Sequence, residues 1–305
     1  MSLPYLGQQL TIYISSFLVI AGVIGNGINI LVFASSRSYR TTPCTFYFLI
    51  GSILNIIYIM INLVSRIVIS GAEVDLTRTS IAWCKMRNWS LATISLFSLS
   101  CACLATIDQF FATSHSAFIR RLSNIKWAHR LAIIIIIVWF CHGIPFLIYF
   151  DISPITNTCR STNPAFTLYF PSIYILTLNC IIPVLIMIVF GYLSYRNIRL
   201  IRALADQQAN RQLTKMILIQ TVLVVISYVQ YGINGAYTIM TSGMSNKDQN
   251  RIQIENFAAT LANLMCYLYF SGTCYVFLIS SSRFRRKVKK KLYFWQMTNE
   301  INPGV

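Results

Sequence analysis

The chain has 305 residues; 56% are hydrophobic, only 11% are charged, and the formal net charge is +17. So apolar a composition excludes an ordinary soluble helical protein. The positive charge alone would fit a nucleic-acid partner, but its placement along the chain argues otherwise.

In chain order, apolar stretches run over Leu10–Ser35, Pro43–Ser70, Ile81–Thr113, Trp127–Phe150, Ala165–Tyr195, Leu213–Thr241 and Ile252–Ile279. Each reaches the ~20 residues a helix needs to cross a hydrocarbon layer of ~30 Å. A soluble amphipathic helix would carry a polar face, and Leu131–Phe140 (LAIIIIIVWF) carries none. The expectation is an all-α membrane protein, a bundle of seven transmembrane helices forming one domain over residues 1–305. No repeat, linker or low-complexity tract divides it. The first stretch follows nine uncharged residues without a basic start or a small-residue cleavage site, so it reads as an uncleaved anchor.

Taking the loops alternately, one side holds 18 of the 25 Lys and Arg. These are Arg37, Arg40, Arg120, Arg121, Lys126, Arg130, Arg196, Arg199, Arg202, Arg211, Lys215 and the seven basic residues between Arg283 and Lys291. Basic loops stay in the cytoplasm, which sets the amino terminus outside and the carboxyl terminus inside a plasma membrane. The basic face then meets anionic lipid or an acidic protein partner, not nucleic acid. After the last stretch, Phe284, Val288, Leu292 and Trp295 recur at helical spacing among cations, which predicts a short amphipathic eighth helix over 282–295 on the membrane surface.

Of nine cysteines, only Cys84 and Cys159 fall on the outer side, where the compartment is oxidising. They read as a disulfide closing the loop between spans 4 and 5, or as two free thiols. His115, His129 and His142 have no ligand partners nearby in sequence, so no metal or cofactor site is expected.

Further residues carry a family resemblance. Span 1 contains Gly25-Asn26-x-x-Asn29. Asn55 lies in span 2. Span 3 begins at Cys84 and ends Asp108-Gln109-Phe110. Trp139 and Pro183 fall in spans 4 and 5, and Phe284-Arg285 follows span 7. Together they resemble the rhodopsin-like (class A) G-protein-coupled receptors over essentially the whole chain, most nearly the divergent invertebrate neuropeptide or chemosensory type. The resemblance implies a Cys84–Cys159 bridge, an extracellular ligand and a heterotrimeric G-protein partner; no enzymatic activity is expected, since no nucleophile–base constellation or phosphate loop stands in the sequence.

The departures from the family pattern define the candidate residues. Gln109 stands where the family's triplet has arginine, and span 6 offers Asn210 and Arg211 in place of its acidic clamp. Tyr228 and Gln230 stand in span 6 where the switch tryptophan and kinking proline are expected, which leaves Gly232 as the candidate for a bend. Span 7 reads Ser271–Phe277 without the usual Asn-Pro; Thr273 with Phe277, or Tyr275 with Ser271, are its two registers. Asn55 replaces an aspartate, so an uncharged cluster of Asn55, Ser98 and Thr273 is expected in place of a sodium site. Asn26, Asn55, Ser98, Tyr228, Gln230 and Thr273 are the transmission candidates. Asp108, Gln109, Phe110, Arg196, Arg199 and Arg211 are those for G-protein coupling. Span 7 lacks the lysine of a retinal protein, and Leu91 replaces the aspartate of an amine receptor. The ligand candidates are therefore Arg66, Arg87, Trp89, Leu91, Asn234, Tyr237 and Asn263, for a peptide or small molecule. A seven-span ligand-gated channel or transporter, or a receptor-like protein that does not signal, are the rival expectations.

Overall fold

The computed structural model describes residues 2–72, 74–154, 156–200, 206–244 and 247–301. Arg202 and the side chains of Arg37, Leu292 and Trp295 lie outside this description. Among the described residues seven helices are long and apolar enough to cross a membrane. They are span 1 (Leu3–Ser35), span 2 (Pro43–Ala72), span 3 (Ile81–Thr113), span 4 (Ile125–Tyr149), span 5 (Pro164–Arg199), span 6 (Ala209–Thr241) and span 7 (Gln249–Ser280). The class of protein this defines is a multi-pass helical membrane protein.

Local signals set the helix ends. Pro4, Pro43 and Pro164 stand in first turns, where a missing N–H costs nothing. Ser80 accepts from the Trp83 N–H, Asn124 from Lys126, and Asn163 from Ala165 and Phe166. Span 2 has no cap of its own. The Asp108 carboxylate of span 3 supplies one, accepting from the Cys44 N–H at 3.0 Å, where the helix dipole favours negative charge.

Span 3 is the most buried helix and span 4 the least. Ile133, Ile134, Ile137, Val138 and Phe140 of span 4 are all exposed, an outward surface suited to acyl chains rather than water. Where helices meet, small residues allow close approach. A Cβ at Gly25 would lie 3.1 Å from Cys274, so glycine lets span 1 sit against span 7. A Cβ at Gly143 would overlap the Trp89 indole and the Thr93 hydroxyl, so glycine also sets the contact of span 4 with span 3.

Two segments depart from α geometry. Ile59–Leu63 in span 2 and Phe170–Ile181 in span 5 are π-helical. In span 5, Asn179 and Thr177 donate to the carbonyls of Tyr174 and Ser172, five residues back. Span 6 instead forms part of one uninterrupted α-helix, Asp206–Thr241. Gly232, a candidate bend, serves a close contact: a Cβ there would sit 2.5 Å from Cys180 Sγ of span 5.

The loop between spans 4 and 5 forms a hairpin of β1 (Phe150–Ile152) and β2 (Cys159–Ser161), antiparallel with Ile152 opposite Cys159. Cys159 is bonded to Cys84, with the two Cα atoms 5.7 Å apart. The bridge pins the hairpin over the end of span 3, and Lys85 lies 3.9 Å from Asp151 beside it.

A further helix, Ser282–Ile301, follows span 7. Phe284 and Val288 were expected on a membrane surface, but both are buried in the protein core, with Phe284 against Phe33 and Phe277. Their apolar face is used by spans 1 and 7 before lipid can reach it. Lys287 bonds the Ser36 hydroxyl and sits 3.5 Å from the Tyr39 ring centroid. Burial, with the Arg283 guanidinium nearby, pushes the Lys287 ammonium down to about 8; the Tyr39 ring face works in the opposite direction.

Two measurements test this description. Non-reducing peptide mapping will recover Cys84 and Cys159 in one linked peptide. Replacing both by serine will remove about 2–4 kcal/mol of stability, read as a lower Tm in detergent. Because the folded Lys287 pKa is depressed, its charge opposes docking below about pH 8. That opposition fades as pH rises toward the ordinary lysine range. Hydrogen exchange over 284–291, corrected for the intrinsic pH effect, will therefore slow between pH 7 and 9, and Lys287→Met will abolish the trend.

Candidate functional site

Among the described residues the candidate side chains fall into three groups. The first ties spans 1, 2, 3 and 7 together at mid-depth. Asn26, fully buried, donates to the carbonyls of Gly22 and Phe270, both at 2.8 Å. Its own oxygen accepts from Asn55 and from Thr273, each at 3.3 Å. Ser98 donates to Asn55 at 2.6 Å, and the Tyr269 hydroxyl lies 3.2 Å from Ser98 Oγ. Asn29 donates to Thr273 at 3.3 Å. The structure thus brings Asn26, Asn55, Ser98 and Thr273 together, and adds Asn29 and Tyr269. A cavity of about 10 Å³ adjoins them, near the ~10–15 Å³ that one water requires. Its lining contains no carboxylate.

Of the other transmission candidates, Tyr228 is buried beside Tyr269, with ring centroids 5.8 Å apart. Gln230 is not part of this network. It is exposed on the face of span 6 that also carries Ile226 and Ile233, because without a proline the helix keeps its regular turn there. In span 7, Thr273 and Phe277 point inward, whereas Tyr275 is exposed and donates to the Ala21 carbonyl at 3.0 Å.

The second group lies at the basic end of the bundle. Gln109 is fully buried, and its amide donates to the Asn210 carbonyl at 3.0 Å and to the Thr214 hydroxyl at 3.1 Å. Spans 3 and 6 are joined there by neutral hydrogen bonds. Asp108 turns the other way, to span 2, and Phe110 packs against Phe190 of span 5 at 5.5 Å. Arg196 is exposed, and Arg199 stacks on the Tyr195 ring. Arg211 does not join Gln109. It lines a separate cavity between spans 6 and 7, since one helical step rotates its side chain away from the Asn210 position.

The third group is at the Cys84 end. Here the ligand candidates do not form one site. Asn234 and Tyr237 line a cavity of about 380 Å³ between spans 6 and 7. Glu255 stands in it, accepting from Tyr237 at 2.8 Å, Lys247 at 2.6 Å and Arg251 at 3.0 Å. Arg87 donates to Ser65 at 2.8 Å, while Arg66 is half-buried within electrostatic reach of the Tyr231 phenol. Trp89 faces span 4, edge-on to Phe140, so it is a packing residue. Leu91 packs between two core clusters, and its carbonyl accepts from Tyr174. Asn263 bonds back to Ala259 of its own helix at 2.7 Å. Between this end and the mid-depth network the interior is filled by Tyr58, Tyr174, Tyr228, Tyr267 and Tyr269, all buried.

Sequence reasoning missed two buried asparagines. Asn179 of the span 5 π-segment lies 3.4 Å from the Ser95 hydroxyl, and Asn62 is wholly buried in the span 2 π-segment. A lone asparagine in an apolar span was the available signal. No family model and no curated protein matches the chain.

The mid-depth network has a direct test. Wild-type Tm in detergent will be the same in sodium chloride and in choline chloride of equal ionic strength. Asn55→Asp buries a carboxylate and will cost about 2 kcal/mol or more without sodium, and sodium will restore part of it.

Proposed function

We propose that this chain is a rhodopsin-like G-protein-coupled receptor of the plasma membrane, with its amino terminus outside. An extracellular peptide or small molecule is its ligand, and a heterotrimeric G protein is its intracellular partner. On this reading it is not an enzyme and uses no cofactor, and the helix after span 7 stands on the inner side, docked through Phe284 against spans 1 and 7.

The observation that carries the reading is the bonding of buried Gln109 to span 6 at the basic end. Two neutral hydrogen bonds are together worth about 1–3 kcal/mol, a latch weak enough for a ligand to open by differential binding. Opening it separates spans 3 and 6 and admits an acidic or amphipathic partner helix beside Arg196, Arg199 and the segment from Ser114 to Lys126. The disulfide holding the hairpin at the other end supports the same reading, as does the network joining spans 1, 2, 3 and 7. At the outer end, Glu255 with Lys247, Arg251 and Tyr237 offers charge-assisted bonds to a polar ligand.

G-protein activation in cells with verified surface expression tests this, using a panel of peptides and small molecules and each Gα subtype. Wild type will respond above mock-transfected cells, and Gln109→Ala will raise basal activity about fivefold or more by releasing the latch. Absence of turnover in wild type, Gln109→Ala and Gln109→Arg across the panel would favour the channel or non-signalling alternatives. An amino-terminal tag reached by antibody only after permeabilisation would overturn the orientation.

A further inference from the structure

Where span 6 begins and span 7 ends, a cavity of about 500 Å³ opens beside the first turn of the following helix. Arg211, Lys215 and Arg285 line it, together with Gln212, Ser280 and Ser282. Three cations share this space, and no carboxylate is among the lining residues. Arg211 and Lys215 stand one turn apart on one helix, a like-charge spacing that is mildly destabilising when nothing lies between them. Among the described residues neither makes an ion pair.

The walls are held in place. Gln212 Oε1 accepts from the Ser281 hydroxyl at 2.9 Å and from the Arg283 N–H at 3.0 Å, and its amide donates to Ser282 at 3.4 Å. Arg285 donates to the carbonyls of Leu278 and Ile279 at 2.7 and 3.0 Å, which anchors its guanidinium at the end of span 7. Gln212 and Arg285 are therefore in place before anything enters the cavity, which lowers the ordering cost of binding on that side. Guanidinium groups match the oxygen geometry of phosphate, and lysine and serine add further donors.

We propose that this cavity binds a phosphate monoester, carried by an anionic lipid of the adjoining leaflet or by a soluble molecule. Ile279, 73% exposed beside it, sets apolar surface next to the cations, as a lipid headgroup with its chains would require. The bound anion bridges span 6, span 7 and the helix after it, so it restrains the same span 6 that Gln109 holds. The inference rests on the membrane architecture alone and stands whether or not the chain signals.

The test uses the full chain in nanodiscs of phosphatidylcholine alone, or with added phosphatidic acid or phosphatidylserine, and reads retained lipid by native mass spectrometry. Glycerol phosphate added to the phosphatidylcholine discs probes the soluble source. Phosphatidic acid, a monoester, will be retained about tenfold over phosphatidylserine. Arg211→Gln with Lys215→Gln will lose that preference, while Lys289→Gln with Lys290→Gln will keep it. Binding of glycerol phosphate without lipid preference, sensitive to the same cavity variant, supports the site with a soluble ligand. Equal retention of the two lipids without glycerol phosphate binding, equal losses in both double variants, or binding of neither compound would overturn the proposal.

Discussion

The hydrogen bonds of Asn26 hold the centre of this bundle, and most of its other features follow from the need to satisfy polar groups away from water. A side-chain amide at mid-membrane has no solvent to fall back on. Asn26 meets that demand with four partners, two carbonyls and the side chains of Asn55 and Thr273, drawn from its own helix and from spans 2 and 7. Ser98 extends the network into span 3. Four helices are thereby held in one register, and the glycine contact between spans 1 and 7 makes the reach possible.

Charge is kept to the ends of this frame, and the interior junctions are neutral. Gln109 joins spans 3 and 6 by amide hydrogen bonds, while its neighbour Asp108 is turned aside to cap span 2. Its carboxylate sits against a positive helix end, a neutralisation that needs no buried arginine. The tyrosines between the cavity at the Cys84 end and the central network fill space that a deep ligand would need. Ligand contact on the proposed reading therefore belongs near Glu255, and any signal passes inward through packed rings.

Much of the fold was legible because the bilayer makes its demand in one dimension. Twenty or more apolar residues in a row mark a span without knowledge of its neighbours, and the seven helices fall within a few residues of the expected limits, apart from extensions at the starts of spans 1 and 6. The cysteine pair was legible because only Cys84, at the start of span 3, and Cys159, in the loop after span 4, fall at that end of the bundle. The hairpin was not, because three-residue strands are too short to show alternation. The π segments were also hidden, since their extra residue leaves no compositional mark.

Site residues divided along the same line. Asn55, Ser98 and Thr273 could be grouped from sequence only through the family resemblance, and their bonding to Asn26 emerged with the packing. Trp89, Gln230 and Arg211 could not be placed, because a one-residue step turns a side chain by about 100° around its helix. Only packing decides whether that direction meets another span, a cavity or lipid. Sequence by itself determined the number, length and polarity of the helices, since those depend on transfer from water to hydrocarbon. Tertiary structure decided which faces met, because helix rotation depends on contacts between residues far apart in the chain.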